Sequence, residues 1–301
     1  MTVHEFEPTH FHVAIGSHEP VLHVASGDTI RTWTVDSGGC DRHGEQITDG
    51  GNPQTGPFHV DGAEPGDMLA VRFDRIRPNR TRGVTGPLIA PNVLDPGFAL
   101  GDPDRQEDWW TLDLERGTAR LEDPPRGLEN LELPLAPMLG CFGVAPPRGQ
   151  AISTATSSTH GGNMDYRGFR EGVTVFLPVF VVGALLHVGD GHALQGDGEV
   201  SGTAIECPAQ AQLTLDVRDD LPLDWPIARV DGAWLTFGFD QDLTRAAHIA
   251  VDSMLDLIQR EHGLPRDDAL ALASVVVDLR VTQLVNEALG VHAVLRDDAL
   301  R

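Results

Sequence analysis

The sequence predicts a mainly β fold, sandwich- or barrel-like, followed by two C-terminal helices: α+β overall, in a single domain over residues 1–301. Three observations carry that expectation. Short apolar segments of alternating or β-branched character recur from Phe11 to Phe239, with turn residues between them. The apolar spacing becomes helical only after Asp242. At 301 residues the chain is long enough to bury a large core, and no repeat at a solenoid period divides it.

The elements follow in order. Thr29 to Val35 alternates as a half-buried strand, after the turn Gly27-Asp28 and before Asp36 and the loop Ser37-Gly38-Gly39. Phe58 to Val60 and Met68 to Phe73 read as the next strands, around the turn Ala63 to Asp67. From Arg77 to Glu132 many Pro, Gly and charged residues break the pattern. Short strands are expected there at Trp109 to Leu114 and Thr118 to Leu121, because a structureless segment of that length is unusual in a compact domain. Met138 to Ala145 returns to buried-strand character. Val173 to Leu186, rich in Val, Phe and Leu and interrupted by Pro178 and Gly183, reads as one or two buried strands. Ala209 to Val217 and Ala233 to Phe239 are further strands. Ala246, Ala250, Met254 and Leu257 then recur at helical spacing, and Gly263 stops the helix. Pro265 opens a second helix, with Asp267 and Asp268 in its first turn, predicted to run to about Val285. A β-rich part over 1–240 thus carries a helical segment over 243–286.

Composition excludes several functions. The net charge is −23, from 45 acidic and 22 basic residues. Nucleic acid and anionic membranes would be repelled. Every basic residue is arginine, and without lysine neither the Glu-Lys-Cys logic of nitrilase-type amidases nor the Ser-Ser-Lys logic of amidase-signature enzymes can operate. There is no GxSxG elbow. Three cysteines, Cys40, Cys141 and Cys207, lack CxxC spacing, so a disulfide framework or zinc finger is not expected. The N-terminus has no basic n-region or apolar h-region, and no apolar run is long enough to span a bilayer. A cytoplasmic protein is the expectation.

Chemistry concentrates between Ser157 and Glu206. His160-Gly161-Gly162-Asn163-Met164-Asp165 lies on one side of the Val173 to Leu186 run, and Gly189-Asp190-Gly191-His192, then Gln195 to Glu199, on the other. Asp190 and His192 are two residues apart and share a face on extended backbone. Carboxylate plus imidazole is a start to a divalent-metal site, with Glu199 a further ligand or a general base. The plainer reading is a capped turn and a surface histidine; spacing alone leaves both open. Gly161 and Gly162 let backbone N–H groups approach a ligand, whereas Asp165 has a competing reading as an Asx-turn. Two such clusters flanking one hydrophobic hairpin could meet at one end of a sheet. Asp36 has both a ligand and a strand-ending reading. His187, Cys141 and Cys207 read as core residues.

HGGNMD, LPVFVVGAL and VGDGHALQGDGEVSGTAIE together resemble the signature of the acetamidase/formamidase family. GDTIRTWTVDSGG, NPQTGPFHVDGAEPGDMLAVRF, MLGCFGVAPPRG and DDALALASVVVDLRVTQLVN extend the resemblance over nearly the whole chain. Ser157-Ser158-Thr159 stands where the family commonly has Pro-Gly-Pro, and the Arg77 to Glu132 segment matches poorly. The resemblance implies hydrolysis of formamide or acetamide to ammonia and the carboxylate, and a homodimer or higher homo-oligomer. Asp190 and His192 are the expected ligands of a divalent metal, with Asp165 or Asp36 completing the shell, for Zn²⁺ ahead of Ca²⁺. Glu199, His160 and Asn163 are the expected catalytic residues, and Thr159, Gly161 and Gly162 the substrate-binding ones. Another amide C–N bond, larger or cyclic, and a purely structural cation site are the alternatives.

Overall fold

A computed structural model describes residues 1–86, 107–221 and 223–300. Among these, nine strands form the largest sheet, in the order Val3–Glu5, Asp28–Trp33, Ala209–Arg218, Met68–Pro78, Thr174–Pro178, Ile227–Val230, Ala233–Asp240, Leu289–Arg296 and Val277–Gln283. A second sheet runs Ser157–Ser158, Gly161–Asn163, Met138–Gly143, Leu186–His192, Gln54–Asp61 and Phe11–His12, with Leu22–Ala25 added in parallel beside Gln54–Asp61.

The run Met68 to Phe73 is apolar almost throughout because both faces of its strand are covered. Leu69, Val71 and Phe73 join a core shared with Leu139, Phe142, Leu186 and Val188 of the second sheet. Phe73 and Phe142 meet edge to face with ring centroids 5.1 Å apart. Met68 and Ala70 turn the other way, onto helix α1 (Leu243–His262), where Ala246, Ala250, Met254, Leu257 and Ile258 form the opposing surface. The Asp242 carboxylate caps that helix by accepting from the N–H groups of Thr244 and Arg245. Gly263 ends it at φ 65°. The layers are therefore small sheet, large sheet and helix.

Two expectations are corrected. Helix α2 spans Arg266–Val276, and from Val277 the chain is the edge strand Val277–Gln283 rather than helix to Val285. The β-branched Val275-Val276-Val277 weakens helix there, and the ladder with Leu289–Arg296 outweighs residual helical spacing. The two polar clusters are not joined by a hairpin either. Thr174–Pro178 belongs to the large sheet and Leu186–His192 to the small one. In the segment from Arg77 to Glu132, strands Asp108–Asp113 and Thr118–Leu121 form as expected in a separate four-stranded sheet. Its part over 87–106 lies outside the described residues.

Candidate active site

Three neighbouring strands of the small sheet bring the site together. Met138–Gly143 is central, antiparallel to Gly161–Asn163 on one side and Leu186–His192 on the other. The chain leaving the first neighbour carries Asp165, and the second carries Asp190 and His192. Both clusters therefore face one place across the central strand. The residue between them is Gly140, where a Cβ would sit 2.3 Å from Asp165 Oδ1, 2.6 Å from Asp190 Oδ2 and 3.0 Å from His192 Cε1. Only glycine leaves that space open.

Glu199 and Glu206 complete the group. Asp165, His192 and Glu199 offer donor atoms within 4.8 Å of one another, and so do Asp190, His192 and Glu206. All five residues are buried, none more than 6% exposed. Four carboxylates around one imidazole in so dry a place demand positive charge. Burial, then the neighbouring Asp190, pushes the Asp165 carboxyl up to about 7. Burial and then Asp165 hold Glu199 well above the usual carboxylate range.

The hydrogen bonds fix the direction of the imidazole. Gln195 Nε2 donates to the Asp165 carbonyl at 2.7 Å, so Gln195 Oε1 must accept from His192 Nδ1, 2.8 Å away. His192 Nε2 then points at Asp190 Oδ1 (3.3 Å) and Glu206 Oε1 (3.2 Å). A bare lone pair cannot face two carboxylates, so either a proton or a cation stands there. Burial opposes charging this ring, yet Glu206 and Asp190 overcome it and hold its pKa well above the usual value. Asp165 Oδ1 is buried without a partner, while Asn286 Nδ2 donates to Asp165 Oδ2 at 2.6 Å. Orphaned carboxylate oxygen, tautomer-fixed imidazole and the Gly140 cradle together fit a divalent ion.

Several expected residues stand elsewhere. Asp36 is in an ion pair with Arg80 Nη2 at 2.9 Å and accepts from the Cys40 N–H, and it joins neither ligand group. Its loop reaches the site one residue later, where Ser37 Oγ donates to Glu206 Oε2 at 2.9 Å. Gly161 and Gly162 are ladder positions, paired with Gly143 and Phe142 on one side and with Ser158 and Ser157 on the other. A Cβ at Gly161 would lie 2.6 Å from the Phe142 carbonyl oxygen, so the strand spacing explains that glycine. Thr159 lies in the turn between those strands. Asn163 accepts from Asn52 and bonds to Asn286, bracing the residue that touches Asp165. His160 is fully buried with neither ring nitrogen partnered, and burial lowers its pKa to about 4. It is absent from both ligand groups.

Glu206, Asn286, Ser37 and Gly140 join the site without a local signal in the sequence. Glu206 ends the long motif but sits at no informative spacing from His192. It arrives by an antiparallel bridge to that very residue. Asn286 closes the segment where helical spacing predicts helix, and the chain there is the loop that follows the edge strand. The cysteines behave as core residues: burial drives the Cys141 thiol well up and the Cys207 thiol to about 12. Neither supplies a thiolate nucleophile near neutrality.

A model of the acetamidase/formamidase family matches residues 148–294, which contain every member of the cluster. The chain is 30% identical to an acetamidase of Bacillus halodurans of known structure, with TM-score 0.83 over 97% of each chain. It is 28% identical to an acetamidase of Yersinia enterocolitica, with TM-score 0.85 over 99% of this chain and 93% of that one. Against an acetamidase of Mycolicibacterium smegmatis it is 48% identical over 199 residues, 49% of this chain and 48% of that protein. The chain spans about half the length of the curated relatives it matches. By these likenesses it belongs to the acetamidase/formamidase family.

Proposed function

We propose that the chain hydrolyses a small aliphatic amide, formamide or acetamide, to ammonia and the carboxylate at the Asp165–Asp190–His192–Glu199–Glu206 cluster. The convergence of these five buried side chains, three of them on the open space at Gly140, is the observation that carries the reading; membership of the family supports the substrate class. Asp165, Asp190, His192 and Glu206 would hold a divalent ion. The imidazole donor favours Zn²⁺ over Ca²⁺. Such an ion, when bound, makes water acidic near neutrality and polarises a carbonyl oxygen.

Glu199 is the base. Its backbone is left-handed at φ 47°, in a loop docked on the edge strand through the Gly198 N–H, which donates to the Thr282 carbonyl. The loop turns the carboxylate inward among the other donors. A cation held beside it would offset the burial and the Asp165 charge that raise its pKa and leave it ionised. Glu199 then takes the proton from the attacking water at its carboxylate oxygen and returns it to the leaving nitrogen, so that ammonia departs neutral. Gln195 and Asn286 hold His192 and Asp165 in place while charge moves. Replacing Glu199 with Gln should cut ammonia release by about 10²–10⁴-fold with the metal content unchanged. A variant that instead loses its metal would make Glu199 a ligand.

Self-association has support in exposed Val275, Leu279 and Val281, which place apolar surface on and beside the outer strand of the large sheet.

A further inference from the structure

We propose that His23, His59 and Asp61 form a second divalent-metal site, of the zinc, nickel or copper class, on the outer face of the small sheet. None of the three belongs to the buried carboxylate cluster. His23 lies on Leu22–Ala25 and the other two on Gln54–Asp61. The two strands run in parallel with His23 in register with His59 and Ala25 with Asp61. His59 and Asp61, two apart on extended backbone, therefore share the face on which His23 stands beside them.

The donors already converge. The two imidazoles stack with centroids 4.3 Å apart. His59 Nδ1 is 3.3 Å and His23 Nδ1 3.7 Å from the same atom, Asp61 Oδ1. The three donor atoms lie within 4.8 Å of one another. Ligands bonded at about 2.0–2.1 Å to a tetrahedral ion stand about 3.3 Å apart, so this spacing needs little adjustment. His59 Nδ1 is a buried nitrogen without a hydrogen-bond partner. Its ring is backed by Gly183, where a Cβ would lie 2.1 Å from His59 Cδ2. That backbone is tied on both sides, Gly183 donating to the Ala63 carbonyl and accepting from the Val60 N–H. The ring is thus seated with its free nitrogen turned to the carboxylate.

Side chains of His23 and Asp61 are 61% and 60% exposed, which leaves water to fill the remaining coordination positions. Two imidazoles and one carboxylate select borderline ions and disfavour Mg²⁺ and Ca²⁺. An ion here clips Leu22–Ala25 onto the rest of the sheet.

The test is the Zn²⁺ content of the full chain, stripped by chelation, reloaded with Zn²⁺ alone and desalted. His23→Ala and His59→Ala should each bind one equivalent fewer than the parent. Ammonia release should stay at the parent level, and Mg²⁺ or Ca²⁺ should not fill the site. Zn²⁺ content in His59→Ala equal to the parent would overturn the proposal. So would an equal loss in His43→Ala, whose histidine is exposed in a turn and belongs to no ligand group, since that would mean diffuse binding by surface imidazoles. Because the readout is a difference between variants, it is independent of whether the carboxylate cluster itself holds metal.

Discussion

Gly140 shows how much one missing side chain can decide. Its absent Cβ is the space that Asp165, Asp190 and His192 surround. Its φ is not positive, so the backbone admits alanine there, and the obstacle to a methyl is the three side chains alone. Gly140→Ala should therefore lose bound metal and ammonia release together, at a cost of about 1–3 kcal/mol for the overpacked site, read by urea unfolding. Retained activity would show that the open space is not part of the site. Gln195 acts one step further out. Without its amide, His192 Nδ1 has no acceptor and the ring can turn. Gln195→Ala should weaken metal affinity by about 10–100-fold, read by competition with a chelating dye. The sequence made Asp190, His192 and Glu199 visible because glycine-framed polar residues stand out beside apolar runs. It hid Glu206 and Asn286, which reach the site through tertiary bridges that no local spacing records.

At the scale of elements, the site depends on the central strand Met138–Gly143 being held between its neighbours and against the large sheet. Phe142 does much of that holding: it is fully buried, edge to face with Phe73 and Phe169. Phe142→Ala should cost about 3–5 kcal/mol, measured by urea unfolding, and a loss below about 1 kcal/mol would contradict the packing described. Strand positions were legible because period-two alternation and β-branched runs survive in the sequence from Thr29 to Phe239. The exchange of helix for strand at Val277 was not. The Ala-Leu-rich start of α2 continues smoothly into Val-rich residues, and only pairing with Leu289–Arg296 decides between the two states. The same exchange hides Asn286, which the loop after the edge strand delivers to Asp165.

At the scale of the whole molecule, pH acts through buried histidines outside the cluster. Burial lowers the pKa of His187 to about 3 and of His160 and His292 to about 4, against an ordinary 6.5. Between those values the unfolded chain binds protons that the folded one refuses. The contribution of these histidines is therefore complete above pH 6.5 and is lost as pH drops toward their folded values, by on the order of 3 kcal/mol for each of His160 and His292. In His187→Leu the slope of unfolding free energy against pH should be shallower across that window; an unchanged slope would contradict the assignment. The layered fold was readable as a class. How its sheets share strands was not, because the run Val173 to Leu186 divides between two sheets rather than closing one hairpin.

The proposal that the five buried side chains form a cation-dependent site for amide hydrolysis stands on their burial and convergence. It is tested most directly by measuring ammonia release from formamide and acetamide on the protein as purified, after exhaustive chelation, and after Zn²⁺ is returned. Activity on at least one of the two amides is expected, lost on chelation and restored by Zn²⁺. Full activity in the chelated protein would contradict it, leaving Glu199 and Asp165 to act without an ion.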